Sequence, residues 1–331
     1  METKKITLAD VAEALGVSKT TVSRAISGKG RISEETRHRI MEYIEINGYK
    51  PNVIAKGLAQ SKTYNIAMLL PSDCELEELP FFRNCMVGVC EAASAREYDV
   101  LMVYDTGGQK KKLERILFNR KVDGILLTGA HVWDEAAKLI KEHDIPAVAA
   151  GAFVDETLVQ VVHDHRSACR ELTEVLIAQG IQTIGLIGGN NLHIATRTCY
   201  QGFMDAFHAT GTAWRPELVF LDVDNAQAID QIVDEMLTKR VDCIICINDM
   251  ICSRVLFQLQ KRHIKIPKQI KVASFDKSLL EGHIPEVTTL EFDAKELGIT
   301  ACSTLLDMIE GKQVKRKSLL PHKICIKETT K

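Results

Sequence analysis

The chain predicts an α/β protein carrying a small all-α head, and three observations lead there. The stretch Thr7 to Arg24, TLADVAEALGVSKTTVSR, has the spacing of helix, tight turn and helix. From Thr63 onward, short apolar runs of β type alternate with amphipathic helical segments. Charge is also unevenly placed. Residues 1–60 hold ten Lys or Arg against seven Asp or Glu, about +3, which leaves about −5 for the rest of a chain of net charge −2. A basic head on an acidic body suits a polyanion-binding domain attached to something else.

In the head, Val11, Ala12 and Leu15 fall at helical spacing on the first helix, and Gly16 marks a turn that needs φ > 0. Val17, Val22 and Ala25 close a small core from the second helix. Ser18, Lys19, Thr20, Ser23 and Arg24 are then left facing outward near that helix's N-terminus, where base edges and phosphates can be met. Ser33 is the expected N-cap of a third helix, Glu34 to Asn47, with Ile40, Met41 and Ile44 on one face and Gly48 just past its end. After Pro51, the segment Asn52 to Gln60 has helical spacing but is short and holds Gly57. Such a helix is marginal alone, so it reads as a linker that folds when docked.

In the body, the expected strands are Ile66–Leu70, Val100–Tyr104, Gly124–Thr128, Ala147–Ala150, Val159–Val162, Thr183–Ile187, Leu218–Leu221, Cys243–Ile247, Lys271–Phe275 and Thr289–Phe292. Between them lie helices such as Phe82–Arg96, Lys110–Asn119, Ser167–Gln179, Gln201–Ala209, Ala226–Lys239 and Asp249–His263. This rhythm implies parallel sheets covered on both faces. It is long enough for two doubly wound sheets, the second starting near Val161. Ligands bind beyond the carboxyl ends of such strands. That directs attention to Ser72, Asp73, Thr128, His163 to His165, Asn190, Asn248, Asp249 and Asp276.

Composition excludes several classes. At 331 residues, 46% apolar and 26% charged, the chain is ordinary for a globular protein of two or three domains. No apolar run spans a bilayer, and METKKITLAD holds no signal core, so a cytoplasmic protein is expected. The ten cysteines lack paired spacing and read as reduced, with Cys90, Cys243, Cys246 and Cys325 inside apolar patterns. Cys243 and Cys246 have zinc-like spacing, but positions three apart on a strand face opposite ways. The run GLIGGNN at 185–191 is a tight turn rather than a nucleotide cradle, since it is not GxGxxG. His163-Asp164-His165 reads as a polar strand end whose Asp or His starts a helix. No nucleophile elbow, zincin motif or P-loop is present, so no catalytic residue, metal ligand or cofactor is assigned. Carboxylates and amides at strand ends suit polyol recognition. Arg197 either reaches a bound hydroxyl or acid, or is a surface arginine. Asn248-Asp249 can cap a helix and contact a ligand at once.

These residues resemble the lactose-repressor (LacI/GalR) family of bacterial transcription regulators over essentially the whole chain. The most specific stretches are TLADVAEALGVSKTTVSRAISG, ISEETRHRI and GYKPNVIAKGLA, followed by the weaker LLP at 69–71, PFF at 80–82, VDGILL at 122–127, IND at 247–249 and VASFD at 272–276. The resemblance implies a homodimer whose heads bind a pseudo-palindromic double-stranded operator. It divides the chain into a helix-turn-helix domain (1–50), a hinge helix and linker (51–61), and a two-lobed domain (62–331) like the periplasmic sugar-binding proteins. It puts Lys19, Thr20 and Arg24 on major-groove bases, with Thr7, Ser18, Thr21, Ser23, Arg31, Ser33 and Thr36 on phosphates or edges. Asn52, Ala55, Leu58 and Ala59 match the hinge helix, whose leucine wedges the minor groove. Ser72, Phe82, Arg197, Asn248 and Asp276 fall at or near the effector positions, the effector being a sugar or sugar derivative.

There are departures. Cys199 stands where the family often has arginine three residues before the Gly-aromatic pair, here Gly202-Phe203. Ser27 stands for a common Asn, Arg254 for a small residue, and Gly151 for a common Asp. The tail after Lys323 has no leucine heptad of the kind that builds a coiled coil. The expected function is a sugar-controlled repressor and not an enzyme. Its rivals are a sugar-binding transport component and a sugar- or nucleotide-modifying protein with an appended head.

Overall fold

The computed structural model describes residues 6–27, 30–49, 57, 60–70, 79–104, 109–128, 134–151, 157–191, 194–277 and 285–331. The chain divides into two compact units, Met1–Thr63 and Tyr64–Lys331.

The head holds α1 (Leu8–Ala14), α2 (Lys19–Ser27) and α3 (Glu34–Ile46). Thr7 and Asp10 form a capping box on α1, which satisfies two backbone N–H groups the helix leaves open. Gly16 takes φ +64° and lets the chain reverse, and Val17 N–H then donates to the Ala12 carbonyl at 3.0 Å. Val11, Ala12, Val22, Ala25, Ile40 and Tyr49 make the core. Ser33 caps α3 as expected, and Gly48 follows the C-cap Asn47 at φ +60°. Met41 does not share the buried face: it is 45% exposed, since one residue along a helix turns the side chain about 100° away from the buried Ile40. Gly57 and Gln60 are helical. The hinge positions Asn52, Ala55, Leu58 and Ala59 lie outside the described residues, as do Ser72 and Asp73.

The body has two six-stranded sheets. The first is built from β1 (Asn65–Leu70), β2 (Asp99–Tyr104), β3 (Gly124–Thr128), β4 (Ala147–Ala150), β5 (Val159–His163) and β11 (Lys317–Leu320), in the order β11-β5-β4-β3-β1-β2, all parallel. The second holds β6 (Ile184–Ile187), β7 (Val219–Phe220), β8 (Cys243–Cys246), β9 (Lys271–Ser274), β10 (Thr288–Phe292) and β12 (His322–Cys325), in the order β12-β10-β9-β8-β6-β7. Here β12 alone runs antiparallel. The second sheet therefore begins at Ile184 and not near Val161, because β5 pairs with β4 and completes the first sheet.

Helices cover both faces. They are α4 (Leu79–Ser94), α5 (Gln109–Phe118), α6 (Asp134–Glu142), α7 (His165–Ala178), α8 (Ile194–Thr210), α9 (Ala226–Thr238), α10 (Asp249–Lys261) and α11 (Ala294–Ile309). Inner strands such as β3 are buried along their whole length, as a sheet covered on both sides requires. Side chains alternate between cores. Ile66 and Met68 pack under α4 and α11, while Ala67 and Leu69 pack under α5 and α6. Cys243 and Cys246 likewise fall in different cores, on opposite faces of β8. Cys325 is buried, but Cys90 is exposed on α4.

Two helices meet at a crossing that only glycine allows. A Cβ on Gly298 of α11 would lie 2.1 Å from the Cys85 carbonyl oxygen, and one on Gly88 of α4 would lie 2.0 Å from that of Lys295. The tail is also ordered. Thr288 N–H donates to Thr329 Oγ1 at 2.9 Å, and both Thr329 and Thr330 are buried. No helix among the described residues is long and apolar enough to cross a membrane.

Candidate functional site

In the head, Ser18, Lys19, Thr20, Ser23 and Arg24 are all exposed, on the side of α2 away from Val22 and Ala25. Thr21 is half-buried and tied to Ser18, its N–H donating to Ser18 Oγ at 3.1 Å and the two hydroxyls lying 2.8 Å apart. The Arg24 stem lies against Gly30, which steadies this arginine. Ser33 and Thr36 share a 2.7 Å hydroxyl contact at the start of α3, with Arg31 exposed just before. Thr7 lies at the start of α1. Three helix N-termini carrying hydroxyls, with open backbone N–H groups and a positive dipole end, suit phosphate contacts. Lys19 and Thr20, in the first turn of α2, have the reach and polarity to read base edges.

In the body, strand register brings three groups of candidates to one edge of the second sheet. Ile187, Cys246 and Ser274 lie side by side at the ends of β6, β8 and β9. The residues that follow emerge together: Asn190 and Asn191, then Asn248 and Asp249, then Asp276. In both sheets the chain order reverses there, between β1 and β3 and between β6 and β8. Such switch points are where doubly wound sheets hold ligands.

Asn248 caps α10, accepting the Ile251 N–H at 2.9 Å, and is half-buried; Asp249 is buried. Asp276 is half-buried and accepts the Lys277 N–H at 2.6 Å. Phe82 is buried on α4 and packs edge-on against Phe81. Thr128 is buried and donates to the Leu69 carbonyl at 2.6 Å. Arg197 is exposed on α8.

Two family models cover the chain. One, described as periplasmic binding proteins and sugar binding domain of the LacI family, matches residues 63–328. The other, bacterial regulatory proteins of the lacI family, matches residues 7–52.

This chain belongs to the LacI family.

It is a transcriptional regulator with a DNA-binding head and a body of the family's sugar-binding type. Catabolite control protein A of Staphylococcus aureus (strain N315) is 24% identical over 331 residues, covering 98% of this chain and 99% of that protein. The HTH-type transcriptional regulator RegA of Clostridium saccharobutylicum is 26% identical over 329 residues, covering 97% and 98%. Among solved structures, the lac repressor dimer bound to operator and the anti-inducer ONPF superposes with a TM-score of 0.75 at 23% identity, covering 99% of both chains. A complex of the regulator CelR with cellobiose gives 0.71 at 24% identity, covering 98% of this chain and 99% of the other.

Three of the departures lie in this LacI-family body. Cys199 is buried in the core beside Cys169 of α7, and burial holds the Cys169 thiol well above its ordinary pKa. Arg197, two residues earlier on α8, does not take its place, because a step of two on a helix turns the side chain to the solvent face. Gly151 has φ +112°, a conformation side-chain-bearing residues avoid, and its N–H donates to Val161 at 2.9 Å. Arg254 forms a bidentate pair with Asp230 of α9 at 2.7 and 2.5 Å and lies 5.4 Å from the Phe257 ring.

One constellation was not foreseen as such. The lobes are joined at three crossovers, β5 to α7, β10 to α11 and β11 to β12, and each begins at the carboxyl end of its strand. At the first, Asp164 caps α7 as expected, its carboxylate accepting from the Ser167 N–H and hydroxyl at 3.0 and 2.8 Å. Burial works against that charge, but these two bonds outweigh it and hold the carboxyl below the usual range. The rings of His163 and His165 lie 5.2 and 4.3 Å from Phe292 of the second crossover, and His322 of the third lies 6.4 Å from it. The HDH triplet signalled only the strand end. That Phe292 and His322 meet it follows from the register of β10 and β12.

Proposed function

We propose that this regulator is a cytoplasmic homodimeric repressor whose operator affinity is set by a sugar or sugar derivative bound in the body. Lys19, Thr20 and Arg24 read major-groove bases, while Thr7, Ser18, Thr21, Ser23, Arg31, Ser33 and Thr36 engage phosphates or base edges. Asn52, Ala55, Leu58 and Ala59 form the hinge contact, with Leu58 as the minor-groove wedge. In the body, Ser72, Phe82, Asn248 and Asp276 contact the effector. Arg197 is the weakest member of that set, since it is exposed. The observation that carries the reading is the outward polar face of α2, Ser18, Lys19, Thr20, Ser23 and Arg24, opposite its buried Val22 and Ala25. The lac repressor dimer on its operator and CelR with cellobiose support the choice of partners.

Selection of bound duplexes from a random pool tests it. A pseudo-palindrome should be enriched, and Lys19→Ala should relax preference at one position in each half-site, by about 1–3 kcal/mol per base pair. Enrichment of no sequence, or of one without two-fold symmetry, would count against the reading.

A further inference from the structure

The joint between the lobes is built around two imidazoles, His163 buried and His165 half-buried. His163 is 6% exposed. Its Nδ1 lies 3.2 Å from the Pro321 carbonyl, an acceptor, so Nδ1 carries the hydrogen and Nε2 is a bare acceptor. Among the described residues, that buried Nε2 has no partner. A buried polar atom left unpaired marks stored instability. His165, the first residue of α7, keeps part of its surface accessible, its ring tilted against that of Phe292 at 4.3 Å.

The charges facing this pair come from every crossover. Asp164 and Asp293 each cap a helix, through Ser167 and through the Glu296 N–H at 2.9 Å; their charges favour an imidazolium, but burial of the rings outweighs them. The same geometry aims the positive N-terminal ends of α7 and α11 at the joint, which opposes a further positive charge. His322 turns to Glu171 at 3.0 Å, and Lys317 of β11 acts on Asp164. Beside the cluster, Arg166 is paired with Asp205 and Glu291 with Lys277.

We propose that the three crossovers form a proton-operated joint: the lobe arrangement seen here requires neutral His163 and His165, and proton uptake by this pair drives the lobes into another arrangement in which the rings meet solvent. Burial lowers the pKa of His163, only partly offset by the Pro321, Asp293 and Leu320 backbone, and brings that of His165 to about 4. An exposed histidine titrates near 6.5. The sign follows. Above pH 6.5 both arrangements hold neutral rings and no preference arises. Below 6.5 the alternative binds the protons more readily and gains population, for His165 down to about 4, with His163 acting in the same direction. The inference rests on the two-lobed body and is independent of any effector.

Small-angle scattering of the full chain between pH 7.5 and 5.0, with far-ultraviolet circular dichroism as the control for folding, tests the joint. The wild type should change its scattering profile reversibly while its helix content stays constant. The double variant His163→Asn and His165→Phe should keep the pH 7.5 profile throughout. His163→Asn retains an amide donor for the Pro321 carbonyl. Absence of a transition in the folded wild type, or an unaltered one in the variant, would overturn the proposal. Should the double variant not fold, histidine-selective nuclear magnetic resonance of the wild type decides, with His163→Asn assigning one signal. A titration of these two rings coupled to a second set of signals supports the joint. Simple titration near 6.5 with one set refutes it.

Discussion

Single residues carry the most local constraints. Gly151 closes β4 with a left-handed backbone that its N–H bond to Val161 fixes. Gly151→Asp, which restores the residue common in the family, should lower stability by roughly 1–3 kcal/mol, since the φ of +112° stays imposed by the sheet. A thermal melt reads this directly, and an unchanged midpoint would show that the turn can re-form around a side chain. Cys199 makes a related point. A thiol buried beside Cys169 offers an effector neither charge nor a strong donor, so any anionic group on the ligand needs a partner elsewhere.

At the scale of elements, the pairing of α4 with α11 matters most to the first lobe. Gly88 and Gly298 each lie against the other helix's backbone. Gly298→Ala places a methyl 2.1 Å from the Cys85 carbonyl, and backbone cannot yield as a flexible side chain does. The change should destabilise by about 1–3 kcal/mol or more, read as a fall in the urea midpoint. An unaffected midpoint would mean that the helices separate easily. Element type was legible wherever apolar periodicity was strong. The runs GILLT and AVAA match their strands residue for residue, as buried parallel strands leave no polar face to blur the pattern. Where an edge is half solvated the signal fades. β11 and β12, in KSLLPHKIC, are absent from the strands the sequence predicts, because edge strands keep charged and polar side chains and a proline interrupts them. The start of α8 was placed seven residues late, since the polar stretch IATRTCY lacks a clear apolar stripe. In the candidate site, Asn248 and Asp276 were legible as strand-end polar residues. The histidine joint was not, because its members lie more than a hundred residues apart and meet only through sheet register.

At the scale of the whole molecule, a head with an exposed polar face on α2 is attached to a body of two sheets whose carboxyl edges both meet the crossovers. Three connections rather than one limit the relative motion of the lobes, and a ligand acts only through its difference in affinity for the available arrangements. The central claim is that occupancy of the body changes the head's hold on DNA. The direct test is a fluorescence anisotropy titration of the full chain on its selected duplex, with and without the sugar that most raises its melting temperature. Coupling of about 1–3 kcal/mol, a change of roughly 5–150-fold in dissociation constant, is predicted. An identical constant at saturating sugar would contradict the account.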